Sequence, residues 1–210
     1  MTIWINLVKK GDVDLPKCYS EQERAYIKNR LKEEAAKCMG QYGIRRTTVD
    51  ELVKRVKIPK GTFYLFYQSK ELLLFEVILE FHDQIEQELY QAIQRIGGEQ
   101  CDAKKVTDVI FGFFQKAAAS PVLKMIGSEE VELLARKLPA EVLQGHLEYD
   151  NDMVERVFSL LPVKREVDKD AFSAAFRGIY FATLHKEEMG EEHFDQALKL
   201  MIHGLVLQMM

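Results

Sequence analysis

Residues 47–70, TTVDELVKRVKIPKGTFYLFYQSK, constrain the fold of this chain more than any other stretch. Thr48 followed three residues later by Glu51 has the form of a capping box, in which each side chain accepts a backbone N–H at the helix start. Val49, Leu52, Val53 and Val56 recur at helical spacing and give one apolar face. Lys57 and Ile58 end that helix. Pro59 suits a first helical position, where its missing N–H has no partner anyway. A very short second helix is predicted over 59–66, anchored by Ile58, Phe63 and Phe66, with Lys60, Thr62 and Tyr64 as its polar side chains. Gln68 and Ser69 break it, and Ser69 caps the next helix. Two short helices around a tight turn make a helix-turn-helix, whose second helix has the dimensions to enter a DNA major groove.

The same stretch resembles the DNA-binding signature of the TetR (tetracycline-repressor) family of bacterial transcriptional regulators. The matching positions are Thr47, Thr48, Val49, Leu52, Ile58, the run 60–64 (KGTFY), Phe66, Tyr67 and the run 69–73 (SKELL). About a dozen positions agree in register, and the likeness extends upstream to about Glu21, roughly the first third of the chain. Two departures stand out. The family's turn carries a small residue and then Gly, where this chain has Val56 and Lys57, and a Ser or Thr cap is replaced by Pro59. A non-Gly residue at such a turn often takes positive φ at a cost of about 1 kcal/mol.

Charge supports a nucleic-acid partner despite a net value of −4. Residues 20–70 hold 12 Lys and Arg against 6 Asp and Glu, so +6, and the rest of the chain carries −10. Basic charge is concentrated where phosphates would lie. Composition adds the fold class: 47% hydrophobic and 30% charged residues with only 12 Gly and 5 Pro favour an all-helical globular protein. No apolar run reaches the ~18 residues of a membrane span. The N-terminus lacks the pattern of a signal peptide. Cys18, Cys38 and Cys101 are unpaired in number and unrelated in spacing, which favours a reducing cytoplasm over a disulfide framework.

In chain order, residues 1–19 form an extension. A long helix from residue 20 or 21 carries the stripe Ile27, Leu31, Ala35, Cys38 and Tyr42 and ends at Gly43. Arg45, Arg46 and Thr47 make a basic loop into the next helix. Residues 20–70 are thus an N-terminal three-helix DNA-binding bundle. Residues 71–210 are a C-terminal helical domain for effector binding and dimerisation. Its helices are predicted over 71–97, 102–120, 129–138, 140–161, 168–189 and 191–209. The last two are apolar on more than one face, with Ala174, Gly178 and Gly204 allowing close approach, so a homodimer through them is expected.

Site residues follow from these placements and from the resemblance. Thr48, Tyr64, Ser69 and Lys70 are expected at phosphates, with Arg46, Thr47 and Tyr67 beside them. Lys60 and Thr62 are expected at base edges, and Gly61 lets the backbone come close. The resemblance implies an effector cavity among the middle helices, with Phe111, Phe114, Met125, His146, Tyr149 and Tyr180 as candidates and a small, largely apolar ligand. His82, His146, His185, His193 and His203 show no metal-ligand spacing, and no catalytic or nucleotide-binding motif is present, so no enzyme, cofactor or metal site is expected. The reading is a ligand-responsive repressor, cytoplasmic, that binds a palindromic operator as a homodimer. The alternative is a helical ligand-binding or scaffold protein without specific operator binding.

Overall fold

Ser20 starts the first helix with a full capping box. Its hydroxyl accepts the Glu23 N–H at 3.3 Å, and the Glu23 carboxylate accepts the Ser20 N–H at 2.8 Å. The computed structural model describes residues 19–97, 101–122, 125, 129–142, 144 and 156–210, and every regular element among them is helical. The helices are α1 (Glu21–Arg46), α2 (Val49–Val56), α3 (Lys60–Phe63), α4 (Lys70–Ile96), α5 (Ala103–Ala119), α6 (Glu129–Ala135), α7 (Lys169–Leu184), α8 (Lys186–Met189) and α9 (Glu191–Met209). The fold is all-α. None of the described helices is long and apolar enough to cross a membrane.

The described residues fall into two compact units. One holds those up to Phe81 together with those between Met125 and Leu147; the other holds 82–124 and 148–210. The division falls inside α4 and not at its first residue, and α6 joins the first unit from 48 residues downstream of Phe81.

In the first unit, α1 packs on α2, α2 on α3, and α6 on α1. The α1 stripe buries Ile27, Leu31, Ala35, Cys38 and Met39. Tyr42, expected in that stripe, is 46% exposed. The reason is Gly43 at φ 80, which interrupts the helix and turns the chain. The Tyr42 ring packs instead against the Arg55 guanidinium, 5.9 Å away. The buried carboxylate of Glu34 joins the two helices: it accepts from Arg30 at 3.2 Å and Lys37 at 2.7 Å, and Arg55 lies 3.6 Å away. The Lys37 hydrogen bond, more than the cations around it, holds Glu34 below the ordinary carboxylate range.

The turn is formed as the residues require. Lys57 sits in the left-handed region at φ 61, ψ 45, and Ile58 N–H donates to the Val53 carbonyl at 3.0 Å. Only glycine occupies that region without a Cβ clash. Lys57→Gly is expected to relieve about 1–2 kcal/mol of strain and to restore about 0.5–1 kcal/mol of unfolded-state freedom. A net gain of about 0.5–1 kcal/mol should appear in urea unfolding.

In the second unit, Asp102 caps α5 by accepting the Lys105 N–H at 2.8 Å, and Asp168 caps α7 by accepting the Ala171 N–H at 3.0 Å. Helix α9 packs on α5, α7 and α8. Ile93, Ile110, Phe114, Phe194, Leu198 and Ile202 are among the buried side chains of its core. The helix predicted over 168–189 is two helices, because His185 leaves helical geometry at φ −112, ψ 31.

Candidate nucleic-acid interface

Helix α2 enters from Thr48, which is exposed and accepts the Glu51 N–H at 3.2 Å. The reciprocal half of the expected capping box is absent. Glu51 instead takes the Arg55 Nε at 2.6 Å, one turn along. A charged donor at i+4 competes well with a backbone N–H that water can satisfy.

Helix α3 spans four residues, with Pro59 as its N-cap and not its first residue. Phe63 is fully buried and packs edge-on to Tyr64 at 5.3 Å and tilted to Tyr67 at 6.0 Å. That anchor settles which side faces out. Lys60, Gly61 and Tyr64 are exposed and share one helix face at i, i+1 and i+4. Thr62 is 7% exposed, on the inner side beside Phe63, so its expected base contact is corrected to a packing role. Lys60 meets Asp50 of α2 at 2.8 Å, and that hydrogen bond raises its pKa. The pair is solvent-exposed and weak, so a nucleic acid can displace it readily.

Three more expected contacts are internal. Thr47 is fully buried, and its hydroxyl donates to the Gly43 carbonyl at 2.8 Å. Tyr67 is 3% exposed, with the Lys28 ammonium 5.5 Å from its ring centroid. Burial pushes its hydroxyl pKa up, and the nearby Glu76 carboxylate adds to the rise. Lys70 donates through Nζ to the Ile44 carbonyl at 3.2 Å and the Thr47 carbonyl at 2.8 Å. Partial burial lowers its pKa. A short loop leaving a helix has spare carbonyls, and the nearest long cation is recruited to them. Ser69 caps α4, accepting the Leu72 N–H at 3.3 Å. Arg45 and Arg46, in the last turn of α1 beyond the Gly43 kink, are both exposed.

Three of the effector candidates, Phe111, Phe114 and Tyr180, lie in the second unit. Phe114 is core, stacked on Tyr180 at 6.4 Å, and burial raises the Tyr180 pKa to about 12. Phe111 is half-buried, with Lys199 5.6 Å from its ring centroid. Met125 belongs to the first unit. His146 and Tyr149 lie outside the described residues. The second unit has a cleft of about 610 Å³ whose lining includes Phe114, Thr183, His185, Lys186, Phe194 and Leu198. Of these only Phe114 was expected. Phe194 and Leu198 read in the sequence as one more apolar helix face. His82, Asp83 and Glu86 bring donor atoms within 4.8 Å of one another on α4, and His82 pairs with Glu86 at 3.5 Å.

A helix that braces, a left-handed turn and a short helix held by one buried aromatic define the first unit as a helix-turn-helix domain. Residues 31–77 match the family model TetR_N, bacterial regulatory proteins of the tetR family. The chain is 30% identical over 121 residues to the HTH-type transcriptional regulator YuxN of Bacillus subtilis, an alignment covering 55% of this chain and 42% of that protein. The chain therefore spans less than half of that relative. In fold it is similar to the transcriptional regulator FadR of Bacillus subtilis, solved with stearoyl-CoA, at TM-score 0.60 and 18% identity over 87% of this chain and 99% of that one. A TetR-family regulator of Marinobacter aquaeolei gives TM-score 0.58 and 16% identity, covering 89% and 98%.

Proposed function

We propose that this protein is a repressor that binds a palindromic DNA operator as a homodimer and is released by a small, largely apolar effector. The observation that carries the reading is the outward face of α3: Lys60, Gly61 and Tyr64 exposed on a helix fixed from below by Phe63. Lys60 reads base edges, Gly61 admits the backbone, and Tyr64, Thr48, Arg46 and the Ser69 end of α4 meet phosphates. Thr47, Thr62, Tyr67 and Lys70 hold that surface in shape. A chromosomal target places the protein in the cytoplasm.

Dimerisation through α7 and α9 is supported by their open apolar faces. Phe181, Leu200 and Leu207 are 49%, 66% and 53% exposed. A Cβ added at Gly178 or Gly204 would meet nothing within 4 Å, so another helix can come close there. Leu200, Gly204 and Leu207 form one stripe at i, i+4 and i+7, and Ala174, Gly178 and Phe181 form another. The second-unit cleft sets Phe114, Phe194 and Leu198 beside the charged Lys186, Glu188 and Asp195, so an apolar effector would lie on its aromatic side with its polar end toward those charges; the acyl part of the FadR neighbour's ligand is in keeping with that class.

Selection from randomised duplex DNA tests the reading. The parent should yield a two-fold symmetric motif with half-sites about one helical turn apart. Lys60→Ala should relax one base position per half-site, a discrimination of about 1–3 kcal/mol. Recovery of no motif by the parent would refute specific operator binding.

A further inference from the structure

The stretch beyond the Gly43 kink carries Arg45 and Arg46, the last turn of α1, and leads to Thr48 at the start of α2, so its path decides where three exposed polar groups point. Gly43 at φ 80 breaks α1 and strands several backbone groups. The carbonyls are satisfied from within residues 31–77: Thr47 Oγ1 donates to Gly43 O at 2.8 Å, and Lys70 Nζ donates to Ile44 O and Thr47 O. The Ile44 N–H is satisfied from elsewhere. It donates to the Glu130 carboxylate of α6 at 2.7 Å, 86 residues away in sequence. The fit is close, since a Cβ built at Gly43 would lie 2.7 Å from Glu130 Oε2. Only glycine both adopts this φ and leaves room for the carboxylate.

We infer that Glu130 is a positioning residue for DNA binding: its carboxylate fixes the 43–47 link, so DNA affinity depends on α6, outside the residues that match the family model. This rests on the DNA-binding reading. Electrostatics alone makes the opposite demand. A carboxylate near a phosphate-facing loop repels DNA, so its removal should tighten binding. Positioning requires that losing the acceptor weakens binding although a negative charge leaves with it.

The sign is the test. The full-length parent and Glu130→Ala and Glu130→Gln variants are titrated with a fluorescein-labelled duplex of randomised sequence at several salt concentrations. Exchange of the Ile44 amide is followed by NMR. Glu130→Ala should bind about tenfold more weakly, the weight of one charge-assisted contact. Its salt slope should be shallower by about one, and Ile44 exchange should speed up by about tenfold or more. Glu130→Gln keeps an oxygen for the Ile44 N–H and should match or exceed the parent in affinity. Should Glu130→Ala not fold, Glu130→Asp withdraws the carboxylate by one methylene and must show the same loss. Parental or tighter binding by the acceptor-less variant, or a loss that Gln does not recover, overturns the inference. If the parent binds no duplex even at low salt, the DNA-binding reading fails instead. Ile44 exchange then still decides whether Glu130 holds the link.

Discussion

Phe63→Ala is expected to remove about 3–5 kcal/mol of stability, the cost of deleting a fully buried aromatic side chain. Helix α3 has four residues and no side-chain cap, far too short to persist by its own hydrogen bonds. Its orientation comes from Phe63, packed against Tyr64 and Tyr67. The variant should therefore lose DNA binding along with stability, because Lys60, Gly61 and Tyr64 lose their common face. Urea unfolding and a fluorescence titration with duplex DNA check the two effects. Full DNA affinity in a destabilised variant would show that α3 is held by something other than this ring.

Charging the open stripe of α9 is expected to have the second large effect. Leu200 and Leu207 are more than half exposed, so Leu200→Asp with Leu207→Asp should leave the folded chain's helicity unchanged, while loss of the partner lowers the melting temperature and removes its dependence on protein concentration. An aspartate pair at a close helix–helix contact is desolvated without a partner and should prevent pairing. A dimer engages its second half-site intramolecularly, which raises avidity about 10²–10⁴-fold, so the monomer should lose operator affinity by a factor in that range. Light scattering reads the mass and titration reads the affinity. An unchanged dimer mass would move the interface off this stripe.

Much of the fold was legible because it depends on short-range rules. Ser20, Asp102 and Asp168 each cap the helix that follows, and a side chain two or three residues from its partner needs no tertiary help. The Lys57 turn was legible for the same reason. The site was legible only in outline. Along 60–64, Lys60, Thr62 and Tyr64 all look polar, and nothing local says that Thr62 turns inward while the other two turn out. Phe63 settles that, by being the residue the core can swallow.

The sequence by itself determined where α1, α2, α5 and α7 begin, the turn, the basic stretch over 20–70 and the family signature, all carried by neighbours within about one helical turn or by composition. Tertiary structure alone decided which cations turn inward. Lys70 and Arg55 are turned inward to carbonyls and carboxylates, while Lys60, Arg45 and Arg46 stay outside. It also brought Glu130 to Ile44 across 86 residues and set Met125 in a different unit from Phe114. The physical reason is common to these cases. A stranded backbone group takes whichever charged side chain the packed chain brings within about 3 Å, and sequence spacing carries no record of that distance.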